Sequence, residues 1–437
     1  MPDTQAPLRL CLVPPAEPDA SRRVLVGFSG GLDSTVLLHL LATDPDLRRR
    51  GLRAIHVHHG LHRDADAWAA HCERECAALG VELQVARVEI DRNAGLGIEG
   101  AARVARHRAF ADALGDDEIL ALAHHQDDQA ETFLLRALRG SGVDGLAAMR
   151  PWRAYQRGWL WRPLLDTARD ALREYADSHA LRWIDDPGNE DAGFDRNFLR
   201  NEVMPLLRQR WPHATGSLAH SAALCAQAAD LLAAEDAAAA ATATRDGNTL
   251  DIDALQVMPR ERRARLLRHW IAGLGLPPLP GNGIRRIERE LLAAPHDAAA
   301  RFDWAGARVQ RWRRLLHADA IHEPLPADWS RDWDGRAPLR LPTGDTLQLH
   351  GTTQFDARLR VHARQGGERI TLPGRTHSHA LKHVLQDTDM PPWHRDRLPL
   401  LSASDGELLA AGDAILSARM AGWLRERGAR LCWTCVA

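Results

Sequence analysis

Six residues, Ser29-Gly30-Gly31-Leu32-Asp33-Ser34, constrain this chain more tightly than any other stretch. An apolar run, Val24-Leu25-Val26-Gly27-Phe28, precedes them, and a second, Thr35-Val36-Leu37-Leu38-His39-Leu40-Leu41, follows. The first has the length and branching of a buried strand, and the second is long enough to continue as a helix. A glycine-rich turn between two such elements leaves backbone N–H groups unpaired and aimed outward, a ready cradle for an anion. Gly30 and Gly31 let a phosphate approach the backbone closely, while Ser29 and Ser34 add hydroxyl donors. The turn lacks the lysine of a Walker loop, which is expected where a terminal phosphoryl group is moved.

The same rhythm continues to about residue 215. Candidate strands at Arg23–Phe28, Leu52–His58, Val81–Val88 and Glu118–His124 alternate with helical patterns. That alternation predicts an α/β fold, a mostly parallel sheet with helices on both faces. Ligands in such sheets bind at the C-terminal strand ends. The Ser29 turn, His58-His59 and His124-His125 each close a strand, so three ends are expected to meet at one crevice.

At 437 residues the chain exceeds one ordinary core. After Trp211-Pro212 it turns alanine-rich and helical, from about Ser217 to Leu292, with a low-complexity break at Ala237–Asn248. From Asp319 to Pro342, prolines and Asp/Trp pairs interrupt any periodicity. Strand-like pieces at Thr346–His350 and Leu359–Ala363 and a helical turn near His379–Gln386 read as a small α+β module. The expected organisation is a catalytic domain (1–215), a helical arginine-rich domain (216–320), a linker (321–342) and the C-terminal module (343–437). No apolar run reaches membrane-spanning length, and the N-terminal stretch has neither the basic start nor the apolar region of a signal peptide. Six scattered cysteines read as free thiols of a reducing cytosol, which predicts a cytoplasmic protein.

A net charge of −2 hides an uneven distribution. Between Val257 and His317 thirteen arginines face five acidic residues, a local excess of +8 that leaves −10 for the remainder. Arg260, Arg262, Arg263, Arg265 and Arg268 form one dense piece, and Arg308, Arg311, Arg313 and Arg314 another. Such sets bind backbone phosphates, and Trp270, Trp304 and Trp312 among them are of a type that stacks on bases. The alternative is a solvated helix face with buried tryptophans. Lys382 is the only lysine.

A second constellation, His124-His125-Gln126-Asp127-Asp128-Gln129-Ala130-Glu131-Thr132, begins where a strand ends and continues into a helix. Asp128 and Glu131, three apart, share a face of that helix. Two readings apply: acids suited to the positive end of a helix dipole, or oxygen ligands for a Mg²⁺ that bridges to phosphate.

Ser29–Ser34 resembles the PP-loop, SGGxDS, of the N-type ATP pyrophosphatases. Those enzymes split ATP between the α and β phosphates and place AMP on an acceptor oxygen. Further strings, in order, resemble the tRNA(Ile)-lysidine synthase family. They are Ile55-His56-Val57-His58-His59-Gly60-Leu61, Ala101-Ala102-Arg103, the His124 string, Arg162-Pro163-Leu164-Leu165, Asp185-Asp186-Pro187-Gly188-Asn189 and Arg196-Asn197-Phe198-Leu199-Arg200. Near the C-terminus, Arg364-Gln365-Gly366-Gly367-Glu368-Arg369, Leu381-Lys382 and Pro392-Trp393-His394-Arg395-Asp396-Arg397-Leu398-Pro399-Leu400 match the same family. Gly188 stands where serine is commoner and His62 where arginine is more usual.

The resemblance implies ligation of free L-lysine to C2 of the first anticodon cytidine of tRNA(Ile) bearing CAU, with ATP and Mg²⁺, through an adenylated cytidine. It implies an ATP site at Ser29, Gly30, Gly31, Leu32, Asp33 and Ser34, and a metal at Asp128 and Glu131. Asp33, Arg103, His124 and Arg200 are then catalytic candidates. Asp33 would hold or deprotonate the amine or bind the metal, and Arg103 would meet phosphate or the lysine carboxylate. Arg196, Arg260, Arg262, Arg263 and Lys382 are tRNA-binding candidates. A second copy of the chain, as a homodimer, is a candidate partner, and a membrane is not. Two other readings are a tRNA cytidine thiolase, which needs paired cysteines for an iron–sulfur cluster, and a tRNA- or nucleotide-binding protein that has lost catalysis. Cys72 and Cys76 on a helix and Cys432-Trp433-Thr434-Cys435 near the C-terminus do not resemble such a cluster site, and the intact acids at 33, 128 and 131 speak against lost catalysis.

Overall fold

Val24, Leu25 and Val26 are wholly buried, and the first structural unit is built around them. The computed structural model describes residues 22–91, 97–185, 195–295, 300–388 and 390–435. The order is β1 (Val24–Gly27), α1 (Leu32–Thr43), α2 (Pro45–Arg50), β2 (Leu52–His58), α3 (Ala65–Leu79), β3 (Glu82–Arg87), α4 (Gly97–Ala113), β4 (Ile119–Ala121), α5 (Gln126–Leu138) and α6 (Val143–Leu146). It continues with β5 (Trp152–Tyr155), β6 (Gly158–Trp161), α7 (Arg169–Ser178), α8 (Asp195–Phe198), a π-helical turn at Leu199–Val203, α9 (Met204–Arg210) and α10 (Ala214–Ala243).

The strands lie in the order β3-β2-β1-β4-β6-β5. All neighbours are parallel except the β5–β6 hairpin. Successive strand residues point to opposite faces. Val24 and Val26 pack with α1, α2, α3 and α7 residues such as Leu37, Leu47, Cys72 and Leu172. Leu25 packs on the other face with Ile55, Phe110, Leu114, Leu120 and Leu160. A strand covered on both sides reads as a continuous apolar run, as β1 does. The parallel sheet and its two helical layers are those the sequence predicts. The sequence does not predict the β5–β6 hairpin, since Trp152-Arg153-Ala154-Tyr155 and Gly158-Trp159-Leu160-Trp161 are short; they pair antiparallel, and Trp152 stacks on Trp161 (5.1 Å).

The chain forms two compact units, Met1–Ala233 and Ala234–Ala437. In the second, helices at Ile252–Gln256 and Arg260–Gly273 pack against an antiparallel five-stranded sheet formed by segments between Thr244 and Ala320. The middle region, expected as helical, therefore carries two short strands, Thr244–Asp246 and Thr249–Asp251, between its helices and three longer ones, Arg301–Trp304, Ala307–Trp312 and Leu315–Ala320, after them. Their alternating pattern was masked by their arginines. The stretch 321–342, expected as a linker, instead contributes strands at Ser330–Trp333 and Leu339–Arg340. Leu325, Trp333, Leu339 and Leu341 are core residues of the C-terminal module, with Leu347, Val361 and Leu401. Its prolines break helical periodicity without removing the apolar positions a small sheet needs. The strands at Thr346–His350 and Leu359–His362 and the helix Leu381–Asp387 fall where the sequence places them. Asp345 and Arg397 form a buried ion pair, with Arg397 Nε 3.1 Å from Asp345 Oδ2.

Gly158 lies where β6 passes closest to β4, and a Cβ there would run into the Glu118 carbonyl oxygen. Overpacking of this kind costs about 1–3 kcal/mol. Gly158→Ala should lower the urea midpoint of the first unit accordingly. An unchanged midpoint means that the two strands can part without loss.

Candidate active site

β1 sits where the sheet order reverses, with β2 and β3 on one side and β4, β6 and β5 on the other. In open α/β sheets this switch point opens the ligand crevice. The ends of β1, β2 and β4 are thus neighbours, as expected from the sequence. Phe28 donates its N–H to the Ile55 carbonyl (2.9 Å), and the chain then turns through Gly30 at a φ of +85°. That conformation favours glycine. A Cβ there would also press on Ile184 Cδ1 (2.8 Å) and Cys72 Sγ (3.0 Å).

α1 begins at Leu32 with Gly31 as N-cap and no side-chain cap, so its first-turn N–H groups are available to an anion. Ser29 and Ser34 hydrogen-bond to each other (3.0 Å), and Ser34 also donates to the Gly31 carbonyl (3.0 Å). Ser34 is buried and shapes the loop, whereas Ser29 is exposed. The Leu32 side chain belongs to the core, which leaves its backbone for any ligand.

Asp33 Oδ2 lies 3.5 Å from His125 Nε2, and Asp33 Oδ1, which accepts no hydrogen bond among the described residues, lies 3.9 Å from Arg169 Nε. His125 caps α5 and is buried. Its Nε2 is equally close to Asp128 Oδ2 (3.5 Å), and its Nδ1 lies 3.2 Å from the Asp127 N–H and 3.6 Å from Asp127 Oδ2. Whichever partner Nδ1 keeps, Nε2 carries a proton toward Asp33 and Asp128. Burial opposes a charge on this ring, but hydrogen bonds with Asp127 and Asp33 and the field of Asp128 outweigh it and push the pKa up to about 10.

Asp128 and Glu131 are both buried, and their oxygens already have nitrogen partners. Glu131 accepts from Arg200 Nε (2.7 Å) and Arg196 Nε (2.8 Å). Asp128 Oδ1 accepts from Arg196 Nη2 (3.0 Å) and Arg200 Nη2 (3.1 Å), and its Oδ2 from the His125 N–H (3.0 Å). As arranged, the pair expected to hold a metal does not fit one. Its acids join α5 to Arg196 on α8 and to Arg200 in the π-helical turn. Asp128 is held down to about 2: burial opposes its charge, but His125 and Arg196 prevail. Of the three carboxylates only Asp33 has an oxygen, Oδ1, that accepts no hydrogen bond among the described residues; it faces Arg169 Nε at 3.9 Å and fits a hard cation as a single ligand.

His124, half-buried at the end of β4, accepts from Arg162 Nε at Nδ1 (3.3 Å). Desolvation first, and then Arg162, Arg196 and Arg106 against Asp128, push its pKa down to about 3. Arg103 is exposed on α4, and the Glu99 side chain opposite it in the sequence pattern lies outside the described residues. So does the string Asp186-Pro187-Gly188-Asn189, although Ile184 just before it donates its N–H to the Gly30 carbonyl (2.8 Å). Cys72 and Cys76 are core residues whose thiols burial pushes up to about 12, and Cys72 Sγ sits 3.3 Å from His56 Nδ1. Among the described residues, no group of three or more His, Cys, Asp or Glu could hold a metal. Sequence reasoning gave no role to Arg162 or Arg208, which meet His124 and Asp127; only the Arg162-Pro163-Leu164-Leu165 string hinted at the first.

In the second unit most of the arginine cluster is engaged internally. Arg263 holds Glu288 and the carbonyls of Leu255 and Met258, Arg265 meets Asp236 (2.6 Å), and buried Arg311 caps the carbonyls of Leu291 and Leu292. Arg308 pairs with Asp303 (2.8 Å), and Arg314 with Asp253. Arg260 is exposed although it touches Glu288 (3.0 Å), and Arg262 is exposed with no partner among the described residues. Trp270 and Trp304 are buried, which rules out the base-stacking role considered for them, and Trp312 leans on Trp393. Lys382 is exposed on the helix Leu381–Asp387.

A phosphate-ready loop at a switch point, beside an acid with an oxygen that accepts no hydrogen bond, defines a nucleotide-binding enzyme of the PP-loop class. Comparison with known proteins agrees. A family profile described as PP-loop domain matches residues 8–207, one described as TilS substrate binding domain matches 250–317, and TilS substrate C-terminal domain matches 359–433. A tRNA(Ile)-lysidine synthase of Xanthomonas campestris pv. campestris is 54% identical over 425 residues, 97% of each chain. That of Alkalilimnicola ehrlichii is 42% identical over 389 residues, 86% of each. The chain belongs to the tRNA(Ile)-lysidine synthase family. It is thus a tRNA-modifying ligase with an ATP-binding PP-loop. A solved U34-tRNA thiolase from Methanococcus maripaludis shares 18% identity at a TM-score of 0.37, covering 46% of this chain and 70% of its own, too slight a likeness to bear on chemistry. Among the described residues, no helix is long and apolar enough to cross a membrane.

His125 yields a pH prediction. Its ordinary pKa of 6.5 rises to about 10 on folding, so its contribution is complete below pH 6.5 and is lost as pH climbs through about 10. In Mg²⁺-free buffer the first unit's melting temperature should fall across that window, and His125→Asn should flatten the fall. Parallel profiles would place the loss elsewhere.

Proposed function

We propose that this chain attaches free L-lysine to C2 of the first anticodon cytidine of tRNA(Ile) bearing CAU, using ATP. The observation that carries the reading is the uncapped start of α1 beside Asp33, whose Oδ1 accepts no hydrogen bond among the described residues and faces Arg169 Nε at 3.9 Å. The cytidine C2 oxygen attacks the α-phosphorus of ATP, and the bond to the bridging oxygen breaks to release pyrophosphate. The ε-amine of lysine then attacks C2, the C2–O bond breaks with AMP as leaving group, and the amine loses a proton. The N–H groups of the first turn of α1 take up charge developing on the phosphates. A Mg²⁺ held with Asp33 would neutralise the leaving pyrophosphate when bound. Asp33 holds either that cation or the amine, which must shed a proton from a pKa of about 10.4.

Arg196 and Arg200, by bridging Asp128 and Glu131, fix α8 and the π-helical turn against α5, and Arg200 borders the acids nearest Asp33. Arg103 is assigned to substrate phosphate or carboxylate. The outward arginines of the 216–320 region and Lys382 are assigned to tRNA phosphates, and Arg263 is reassigned to holding its turn. The enzyme acts in the cytoplasm, where its tRNA is, and a homodimer is compatible with this reading.

Incubation with ATP, labelled lysine and a CAU-bearing tRNA(Ile) transcript should put label on the RNA. Asp33→Asn, which keeps the shape and removes the charge, should lower that rate at least a hundredfold; near wild-type labelling removes Asp33 from the chemistry. Arg260→Ala with Arg262→Ala should weaken tRNA binding and leave ATP affinity unchanged. The slope of log affinity against log salt should fall by roughly 0.7 to 0.9 per lost contact. An unaltered slope makes these two arginines a solvated face.

A further inference from the structure

Arg162 carries a charge that the proposed reaction does not use. It directly follows β6, and the pairing of Trp161 with Ala121 sets it beside the exit of β4, two residues before His124. The backbone is held there by Arg162 N–H to the Pro151 carbonyl (2.8 Å) and Leu122 N–H to the Trp161 carbonyl (2.9 Å). The side chain is 7% exposed and meets no carboxylate among the described residues. Nη1 donates to the Arg150 carbonyl (2.7 Å), and Nε donates to His124 Nδ1 (3.3 Å). A buried cation without a counter-ion is costly, so its position calls for a reason. Desolvation and the nearby Arg153, Arg103 and Arg136 push even this guanidinium down to about 10.

A guanidinium can only donate. Its Nε–H therefore requires a bare lone pair on His124 Nδ1, and a neutral imidazole with a bare Nδ1 carries its proton on Nε2. A second proton on Nδ1 would set two donors against each other. The surroundings act in the same direction: burial first, and then Arg162 after β6, Arg196 on α8 and Arg106 on α4, oppose a charge on the ring and together outweigh Asp128 on α5, which favours one. An Nε2–H imidazole has no lone pair with which to take a proton at that atom, but it donates well to an oxygen that gains negative charge, as neutral histidines do in other enzymes.

We propose that Arg162 is a positioning residue that fixes His124 as a neutral Nε2–H donor, so that His124 hydrogen-bonds a substrate oxygen and does not deprotonate the lysine amine. This rests on the proposed function, with His124 as the catalytic candidate that the family resemblance implies, and it leaves the amine proton to a carboxylate, with Asp33 the candidate. The Arg162-Pro163-Leu164-Leu165 string thereby acquires a chemical purpose beyond closing the β5–β6 hairpin.

Nitrogen NMR of full-length protein labelled at histidine, with the His124 signals assigned by their loss in His124→Gln, tests this directly. At neutral pH Nε2 should be protonated and Nδ1 bare, and the pattern should hold on acidification to about pH 5. In Arg162→Met the ring should gain a proton on Nδ1 and titrate at least one unit higher. Lysidine formation should then fall at least tenfold in kcat, with KM for ATP within twofold, and an acid limb should appear in the pH–rate profile. A wild-type His124 protonated on Nδ1, or titrating near neutrality, overturns the proposal. So does a folded Arg162→Met with unchanged tautomer, titration and turnover. Should that variant fail to fold, the wild-type nitrogen pattern decides alone. The expected nitrogen pattern in a protein that forms no lysidine would overturn the proposed reaction and leave the assignment of Arg162 standing.

Discussion

Complete burial of β1 is the constraint on which the rest of the first unit depends. Its residues fill both cores at once, so β2 and β4 must pair on either side and helices must cover both faces. The chain reverses its order around this strand, and the reversal opens the crevice into which the glycine-rich turn projects. Gly30 cannot be exchanged for a larger residue because Ile184 and Cys72 close the space behind it. The loop's hydroxyls are committed to its own shape, and its backbone is what faces a ligand.

Around that crevice the charges fall into two groups of opposite character. On the side of α1 and α5, three carboxylates surround His125 and hold it protonated. On the side of β6 and α4, burial first, and then Arg162, Arg196 and Arg106 against Asp128, hold His124 neutral. Adjacent histidines in the sequence thus titrate far apart, His124 lowered chiefly by burial and His125 raised by the carboxylates that outweigh its burial. Divergent pKa values in neighbouring groups are a mark of sites that move protons and stabilise charge.

Asp128 and Glu131 show how a pattern correct in placement can mislead in role. Their spacing puts both on one face of α5, as expected. That face meets Arg196 and Arg200, some 65 to 72 residues further along the chain, and the four side chains satisfy one another. The arginine-rich middle region repeats the lesson. Arg263, Arg265, Arg311 and Arg314 neutralise acids or cap carbonyls within their own unit, while Arg260 and Arg262 keep the outward position that phosphate binding requires.

The sequence by itself determined the parallel sheet, the anion-ready turn after its central strand and the family, because each rests on local order: apolar runs, glycines at fixed offsets and strings that keep their sequence. It also located Asp33, His124 and His125 at neighbouring strand ends. Tertiary structure alone decided which charges meet. The 321–342 stretch became core because its apolar positions found partners in strands of the C-terminal module. Arg162 reached His124, 38 residues away in the chain, because β4 and β6 pair, a register that no local pattern encodes. Hydrogen bonds and ion pairs act over a few ångströms, so the protonation of a side chain depends on neighbours that only the folded chain brings within reach.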